Sequence, residues 1–130
     1  MRLADWNGFG GFDPEFFMYG EETDLCMRAR REGFRPIVTP DATIVHHGGA
    51  SEKVREDKMV RLLDAETRLF RRHWSPAGFA MARLFVRVGV LLRAVAIGTR
   101  GLLRGRGYRS MWSNLWGRRS EWSMGEVRSG

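Results

Sequence analysis

The chain of 130 residues has one cysteine, Cys26, three histidines and four prolines. A single cysteine excludes an internal disulfide framework and a multi-cysteine zinc site, and it is compatible with a reducing compartment. The first 20 residues contain one basic residue, Arg2, and no apolar core, so no secretory signal is predicted and the cytoplasm is the expected location. The length is sufficient for one domain or for a part of one.

Positive and negative charges are distributed unevenly along the chain. Residues 1–70 contain 10 Lys and Arg against 13 Asp and Glu, whereas residues 71–130 contain 12 against 2, which gives the net charge of +7. The basic second half is also rich in Leu, Val and Trp. This combination predicts contact with an anionic surface, which is either a membrane or a nucleic acid.

An acidic sequence that starts at position 21 predicts a helix from about Glu21 to Glu32. Acidic residues occupy its first turn, arginines occupy its last turn, and Gly33 stands where a C-terminal cap belongs. Residues 1–20, rich in glycine and aromatic side chains, predict a loop with at most short extended pieces. Such a loop forms either a hydrophobic plug or one side of a pocket.

The predicted helix carries two stripes of residues at the helical repeat of about 100° per residue. Asp24 and Arg28 stand on one stripe, four residues apart, and predict an ion pair. Glu22 stands on the other stripe with Cys26 and Ala29, which are small residue types that are usually buried. We therefore expect Glu22 to face packed protein or a cleft, where a carboxylate is costly without a task or a partner.

Two short runs rich in Ile, Val and Thr, residues 35–39 and 42–47, predict β-strands. Side-chain alternation along the second run puts His46 and His47 on opposite faces of its strand. A longer helix is predicted over residues 51–72, because a serine and an acid precede apolar residues at helical spacing.

The region after Pro76 is apolar except at spaced arginines. Five arginines in residues 77–104 fall within roughly 140° of a helical wheel. This pattern predicts an amphipathic helix that lies on a membrane surface, because arginines at the centre of a bilayer are expensive. Residues 105–130 form a Gly-, Arg- and Trp-rich tail, which we expect to be disordered in water and anchored at an interface. The predicted parts of the chain are therefore residues 1–75, 76–104 and 105–130.

Two sequence words carry a family resemblance, GGFDPEFFMYGEETDLC and RPIVTPDATIVHHGGAS. Spaced in this way, they resemble the C-terminal part of the catalytic domain of bacterial family 2 glycosyltransferases, especially the rhamnosyltransferase-like and galactofuranosyltransferase-like members. The resemblance implies an α/β fold, with residues 1–75 as the acceptor and base half of a Rossmann-like GT-A domain. The basic amphipathic helices would follow this half.

The same resemblance implies roles for individual residues. Glu22 stands where the family has the general base that deprotonates the acceptor hydroxyl, and Glu21 is the acid before it. Asp24 matches the acid of the Asp-Leu-Cys word, with either a site role or a structural ion pair. His46 matches a metal-binding histidine. The segment that borders the acceptor site contains Phe12, Asp13, Phe16, Phe17 and Tyr19.

The implied activity is the inverting transfer of a sugar from a nucleotide-sugar donor to a lipid-linked or polysaccharide acceptor, in cell-envelope polysaccharide biosynthesis. A divalent metal, Mn²⁺ or Mg²⁺, is the implied cofactor. In the family, an Asp-x-Asp motif and a nucleotide-binding half precede such a segment, so we expect this chain to be a fragment that is inactive alone. The expected location of the enzyme is peripheral, on the inner face of the plasma membrane.

Simpler interpretations stand beside these predictions. Acids in a first helical turn are favoured by the helix dipole, and aromatic loop residues more often form a core than a sugar-binding platform. His46 is alternatively a half-buried strand histidine bonded to backbone. The chain as a whole is alternatively a non-catalytic module that binds membranes or nucleic acid, although nucleic-acid binding does not explain the acidic first half.

Overall fold

The computed structural model describes residues 2–16, 18–41, 43, 45, 55–103 and 110–124. The chain forms two compact units, Met1–Lys53 and Val54–Gly130. The helices in the described residues are α1 (Leu3–Gly8), α2 (Glu21–Arg31), α3 (Arg55–His73), α4 (Pro76–Leu103), α5 (Met111–Gly117) and α6 (Arg119–Trp122). The first two belong to the first unit, and the other four belong to the second.

The described residues form helices and no strand, so the predicted α/β, Rossmann-like fold is wrong. Residues 34–39 have no regular secondary structure, and the side chains of Ile37 and Val38 are exposed. A run with high β-propensity becomes a strand only where a neighbouring strand takes its backbone hydrogen bonds and buries one face. In the second predicted strand, only Thr43 and Val45 lie within the described residues, and neither belongs to a sheet.

Helix α1 opens the first unit, where the sequence predicted a loop. Arg2 and Asp5 form an ion pair of 3.0 Å across the start of this helix, and the Trp6 amide donates to the Arg2 carbonyl. The indole ring of Trp6 stacks edge-on against Phe12, with ring centroids 4.9 Å apart. Gly11 has φ of +65°, and a Cβ at this position would lie 3.0 Å from the Trp6 ring. The glycine therefore allows both the turn and the close approach of the indole.

Helix α2 confirms the predicted helix over residues 21–32 to within one residue. It ends at Arg31, and Gly33, two residues later, has φ of +83°, the left-handed conformation of a glycine cap. The Phe34 amide donates to the Ala29 carbonyl at 3.0 Å, and the Gly33 amide donates to the Arg30 carbonyl at 3.1 Å. These bonds satisfy carbonyl groups that the helix end would otherwise leave without partners.

Helices α3 and α4 confirm the two long helices predicted in the second half of the chain. The predicted start of the first one, residues 51–54, lies outside the described residues. Helix α4 begins at Pro76, a residue suited to the first helical position because its missing N–H would have no partner there. Among the helices of the described residues, none is apolar enough over a sufficient length to cross a membrane.

The segment predicted as a disordered tail contains the helices α5 and α6, so that prediction is wrong for residues 110–124. Ser110 and Ser113 form a reciprocal capping box at the start of α5. The core of the second unit consists of Val60, Val90, Leu115 and Trp122. Two of these four side chains come from the predicted tail, because its tryptophan and leucine spacing produces an apolar face that α3 and α4 can bury.

Arg118, between α5 and α6, forms a second connection within this unit. Its guanidinium donates to Asp57 at 2.5 Å and to both carboxylate oxygens of Glu121 at 2.8 Å. The hydrogen bonds to Glu121 and Asp57 raise the pKa of Arg118 above its ordinary value. A bidentate pair with a second carboxylate favours one orientation of the side chain, so Arg118 links the end of α5 to the first turn of α3.

Candidate functional site

The turn before α2 has an unusual backbone conformation. Tyr19 has φ of +70° and Gly20 has φ of +90°, so two successive residues are left-handed immediately before Glu21. Gly20 occupies the N-cap position of α2 and supplies no capping side chain. A left-handed backbone is costly for tyrosine, and such strain persists where the surrounding structure imposes it, often at functional sites. The turn fixes the position of the acidic first turn of α2.

The three acids of this first turn have different environments. Asp24 is completely buried, with 0% exposure, whereas Glu22 is exposed to solvent. Glu21 is half-buried, and its Oε2 atom is removed from solvent without a hydrogen-bond partner in the described part of the chain. The predicted burial of Glu22 is therefore wrong, and Cys26 on the same stripe is exposed as well. The catalytic roles of Glu21, Glu22 and Asp24 stay predictions.

Asp24 is buried on α2 together with Leu25 and Ala29, because Arg28 compensates its charge. The Arg28 Nε donates to the Asp24 Oδ2 at 2.8 Å, as the spacing predicted. The Arg28 guanidinium also donates to the Phe9 carbonyl and, at 2.8 Å, to the Gly11 carbonyl. A buried carboxylate with a charged, hydrogen-bonded partner avoids the cost that excludes a lone one from the interior.

These contacts tie α2 to the loop that follows α1. One guanidinium connects a carboxylate of the helix with two backbone carbonyls of the loop, so its planar fork fixes the loop position relative to the acidic turn. The sequence predicted the ion pair from its spacing. It contained no signal for the two carbonyl contacts, because backbone acceptors leave no trace in residue identity.

The aromatic residues predicted to border an acceptor have mixed environments. Phe12 is 47% exposed, whereas Phe16 is 4% exposed and belongs to the core of the first unit. Tyr19 is half-buried in the left-handed turn, and Phe17 lies outside the described residues. The Asp13 side chain accepts a hydrogen bond of 2.9 Å from the Glu15 amide, as in an Asx turn. Exposed Phe12 is therefore available to a ligand, whereas Phe16 supports the loop from inside.

A metal site is not formed by the described residues. They contain no group of three His, Cys, Asp or Glu side chains that could hold an ion. His46, the predicted ligand, lies outside the described residues. The described part of the chain therefore offers no set of ligands for the implied Mn²⁺ or Mg²⁺.

An open groove of about 560 Å³ runs along the first unit between α1 and α2. Its lining residues are Ala4, Asp5, Gly8, Phe9, Arg28, Arg31, Glu32 and Phe34. None of the predicted site residues lines it, because the groove follows the C-terminal half of α2 and the acids stand at the N-terminal end. The groove and the acidic turn are thus separate features of the same unit.

Comparison with known proteins finds short stretches of similarity. No family model matches this chain, and no solved structure gives a significant match. The chain is 36% identical over 47 residues to an N-acetylglucosaminyl-diphospho-decaprenol L-rhamnosyltransferase of Mycobacterium tuberculosis, from each of two strains. It is 30% identical over 53 residues to the O-antigen biosynthesis protein RfbC of Myxococcus xanthus.

The matched stretches are small parts of the relatives. They cover 36% of this chain but 15% of the rhamnosyltransferase, and 41% of this chain but 4% of RfbC. The resemblance to rhamnosyltransferases that the sequence motifs indicate is confirmed over such a stretch, as a relation to glycosyltransferases in general.

Proposed function

We propose that this chain is part of a family 2 type glycosyltransferase that transfers a sugar from a nucleotide-sugar donor to a lipid-linked or polysaccharide acceptor, with inversion. The observation that carries the proposal is the 36% identity over 47 residues to a rhamnosyltransferase. The name of that relative couples L-rhamnosyl transfer to N-acetylglucosaminyl-diphospho-decaprenol, and the second relative acts in O-antigen biosynthesis. Both names support an acceptor that is a lipid-linked or polymeric glycan.

In this proposal Glu22 is the general base. Its carboxylate stands on the first turn of α2 and is exposed, so an acceptor hydroxyl can reach it. A sugar hydroxyl is a poor nucleophile, and its oxygen attacks the anomeric carbon as the carboxylate takes its proton. The bond to the nucleotide breaks in the same displacement, and the nucleotide leaves with the electron pair of that bond.

Glu21 and Asp24 support this base in different ways. The half-buried side chain of Glu21 stands next to the base in the first turn of α2, where its carboxylate can accept a hydrogen bond from another hydroxyl of the acceptor. Asp24 acts through Arg28, because the ion pair holds the loop of Phe9 and Gly11 beside the acidic helix. We propose Asp24 as a positioning residue and Glu22 as the catalytic residue.

The proposal includes Mn²⁺ or Mg²⁺ as a cofactor of the complete enzyme, with His46 as one ligand. A divalent ion of this kind supplies charge neutralisation on a departing nucleotide. Further ligands would have to come from outside the described residues, which hold no three-ligand group. No role of Glu22 in the proposal depends on this ion.

The test is a transfer assay on the complete protein that contains this chain, with a panel of nucleotide sugars and polyprenyl-diphosphate-linked acceptors. Glu22→Gln removes the base with little change in shape, and we expect kcat to fall by about 10² to 10⁴-fold. Donor binding, measured by calorimetry, should stay within about twofold of the unaltered protein, because the proposed base does not touch the nucleotide.

The matched control is Glu32→Gln, an exposed acid at the other end of the same helix. This variant should transfer sugar at the normal rate. Near-normal transfer by Glu22→Gln would remove its assignment as the base, and the absence of transfer by the unaltered protein with every donor would contradict the proposed activity.

A further inference from the structure

Helix α4 presents an apolar stripe to solvent along its length. The stripe consists of Met81, Leu84, Phe85, Val88, Leu92, Val95, Leu102 and Leu103, which are 39% to 86% exposed. At about 100° per residue these side chains fall within roughly 100° of the helix circumference. The opposite side of α4 contains Ala82 and Val90, which are buried against the rest of the second unit. The stripe is thus an outer face that the described part of this unit leaves uncovered.

The size of this apolar stripe indicates an interaction surface. Single exposed apolar residues are ordinary on soluble proteins, but a contiguous patch of eight large ones is not. A helix of 28 residues is about 42 Å long, so the stripe is much longer than a small-molecule pocket. Its occupant must be an extended apolar surface.

Three arginines, two on α4 and one at the start of α6, form a group that we call the arginine cluster: Arg83, Arg87 and Arg119. The Nε atoms of Arg83 and Arg87 are removed from solvent and have no hydrogen-bond partner in the described part of the chain. The Arg83 Nη2 lies 3.3 Å from the Sδ of Met124, which is a weak acceptor. Among the described residues, no carboxylate pairs with any member of the cluster.

The electrostatics of the arginine cluster show that its charges are close and uncompensated. Burial lowers the pKa of Arg87, and the positive charges of Arg83 and Arg119 lower it further. Arg119 donates to the Trp116 carbonyl at 3.3 Å and lies over the Trp116 ring, 5.3 Å from its centroid. These contacts orient its guanidinium without neutralising it. An anion at this position would relieve the repulsion among the three cations.

Arg87 of the arginine cluster borders the apolar stripe. Arg87 follows the stripe residue Leu84 by three residues, and residues at this spacing are neighbours on a helix surface, whereas Arg83 lies further round the helix. A ligand that covers the stripe therefore meets the Arg87 guanidinium at one of its edges. The ligand must be apolar over a length of tens of ångströms and anionic at its border.

We propose that the arginine cluster binds the phosphate groups of an anionic phospholipid surface while the apolar stripe of α4 enters the outer acyl region of the bilayer. Guanidinium forks match phosphate oxygens in bidentate geometry, and apolar faces bordered by arginine are typical of helices that lie in a membrane interface. A second copy of the chain could also cover the stripe, but it would bring three more uncompensated arginines. The charge of the cluster therefore favours the lipid surface, and this inference does not depend on the proposed transfer activity.

The test is sedimentation of the full chain with vesicles of phosphatidylcholine and phosphatidylglycerol, against vesicles of phosphatidylcholine alone. We expect strong binding to the anionic vesicles and weak binding to the neutral ones. The double variant Arg83→Gln/Arg87→Gln should lower the partition coefficient about 25-fold, from roughly fivefold for each basic residue near the surface. Circular dichroism would verify that the helices are retained.

The matched control is Arg55→Gln/Lys58→Gln, which removes the same charge from exposed positions on α3. A clearly smaller loss of vesicle binding in this control than in Arg83→Gln/Arg87→Gln supports the phosphate site. Equal losses in the two variants would mean that net charge alone holds the protein on the vesicles, which would overturn the proposed site.

A second arm tests the apolar stripe without a change in charge. The double variant Phe85→Gln/Leu92→Gln should weaken binding by tenfold or more, because two large side chains lose their burial in the acyl region. Sedimentation velocity without vesicles, and a titration with inorganic phosphate, identify the rival occupants. Self-association through the stripe, or phosphate binding to the arginines, in a chain that does not bind vesicles would overturn the proposal.

Discussion

The indole nitrogen of Trp122 donates a hydrogen bond of 2.9 Å to the backbone carbonyl of Leu115, and both side chains are 0% exposed. The contact joins α6 to α5 inside the core that Val60 and Val90 complete from α3 and α4. A buried indole needs a partner for its N–H, and this one has it within the same short segment. The last two helices are therefore part of the core of the second unit.

Trp122 should be among the most sensitive positions for stability. Trp122→Ala leaves a large cavity and should lower the free energy of unfolding by about 3–5 kcal/mol. Trp122→Phe keeps most of the apolar contact but loses the hydrogen bond, so it should lower the free energy of unfolding by about 1–3 kcal/mol. Urea unfolding followed by circular dichroism measures both. Trp74→Phe, at an exposed position, is the control and should change stability by less than about 0.5 kcal/mol.

Arg28→Ala should destabilise the first unit by about 3–5 kcal/mol, because it leaves the buried Asp24 without its cation and removes two bonds to loop carbonyls. Hydrogen exchange of the α1 and α2 amides reports on this unit separately. Arg30→Ala, at an exposed position on the same helix, is the control. If Arg28→Ala causes no further loss of stability in an Asp24→Asn variant, the coupling between the two side chains is confirmed. Additive losses of stability would show that the pair does not act as a unit.

Neighbouring glycines in the first unit should respond differently to alanine. Gly10 has φ of +71° with open space around it, so Gly10→Ala should cost only about 1 kcal/mol for the left-handed backbone. Gly11→Ala adds a Cβ at 3.0 Å from the Trp6 ring, so it should lower the free energy of unfolding by about 2–3 kcal/mol. Thermal unfolding compares the two variants. Equal losses would mean that the indole moves aside at little cost.

Glu66 should make stability fall as the pH rises. Burial raises the pKa of this carboxyl above its ordinary value of 4.5, so the folded protein holds its proton more tightly than the unfolded chain does. Stability is then lost as the pH rises from about 4.5 through the raised pKa. Glu66→Gln should be more stable than the unaltered protein at pH 7. The difference in stability should shrink as the pH falls below about 4.5, the ordinary pKa of the carboxyl. Urea midpoints at a series of pH values measure it.

The control for this pH series is Glu56→Gln, in the first turn of α3, where the helix dipole favours a negative charge. This variant should lose about 0.3–1 kcal/mol at neutral pH. At neutral pH, Glu66→Gln should raise stability and Glu56→Gln should lower it. This difference distinguishes burial of the Glu66 carboxylate from a general effect of acids on this helix. A loss of stability in Glu66→Gln at pH 7 would contradict the prediction.

The helices were predictable where local signals agreed with one another. Helix α2 has acids at its start, arginines at its end and Gly33 after it, and helix α4 has a long apolar face, so both appeared within one or two residues of prediction. The strand predicted over residues 35–39 was wrong, because Ile37 and Val38 have high β-propensity but strand pairing depends on residues far along the chain. Helices α5 and α6 were missed because the Gly-, Arg- and Trp-rich composition was interpreted as a disordered tail, and Trp122 acquires its role only in the core with Val60 of α3 and Val90 of α4.

The environments of the predicted site residues did not follow from the sequence pattern. The stripe of Glu22, Cys26 and Ala29 was expected to face packed protein or a cleft, but Glu22 and Cys26 are exposed and Ala29 is buried. Asp24 is the buried acid, because Arg28 neutralises it and bonds to the loop carbonyls. Burial of a charged residue is a property of its partners, and partners at a distance of 17 or 19 residues are not visible in a local pattern.

The position of Trp122 in the chain has a consequence for synthesis. Helices α3 and α4 leave the ribosome before α5 and α6, so Val60 and Val90 stay uncovered until Leu115 and Trp122 arrive. During that interval the nascent chain exposes the inner side of α4 as well as its outer apolar stripe. Exposed apolar surface on a partly made chain is prone to aggregate. While it is still being made, the protein should therefore depend on chaperones or on early contact between the apolar stripe of α4 and the surface that the stripe binds.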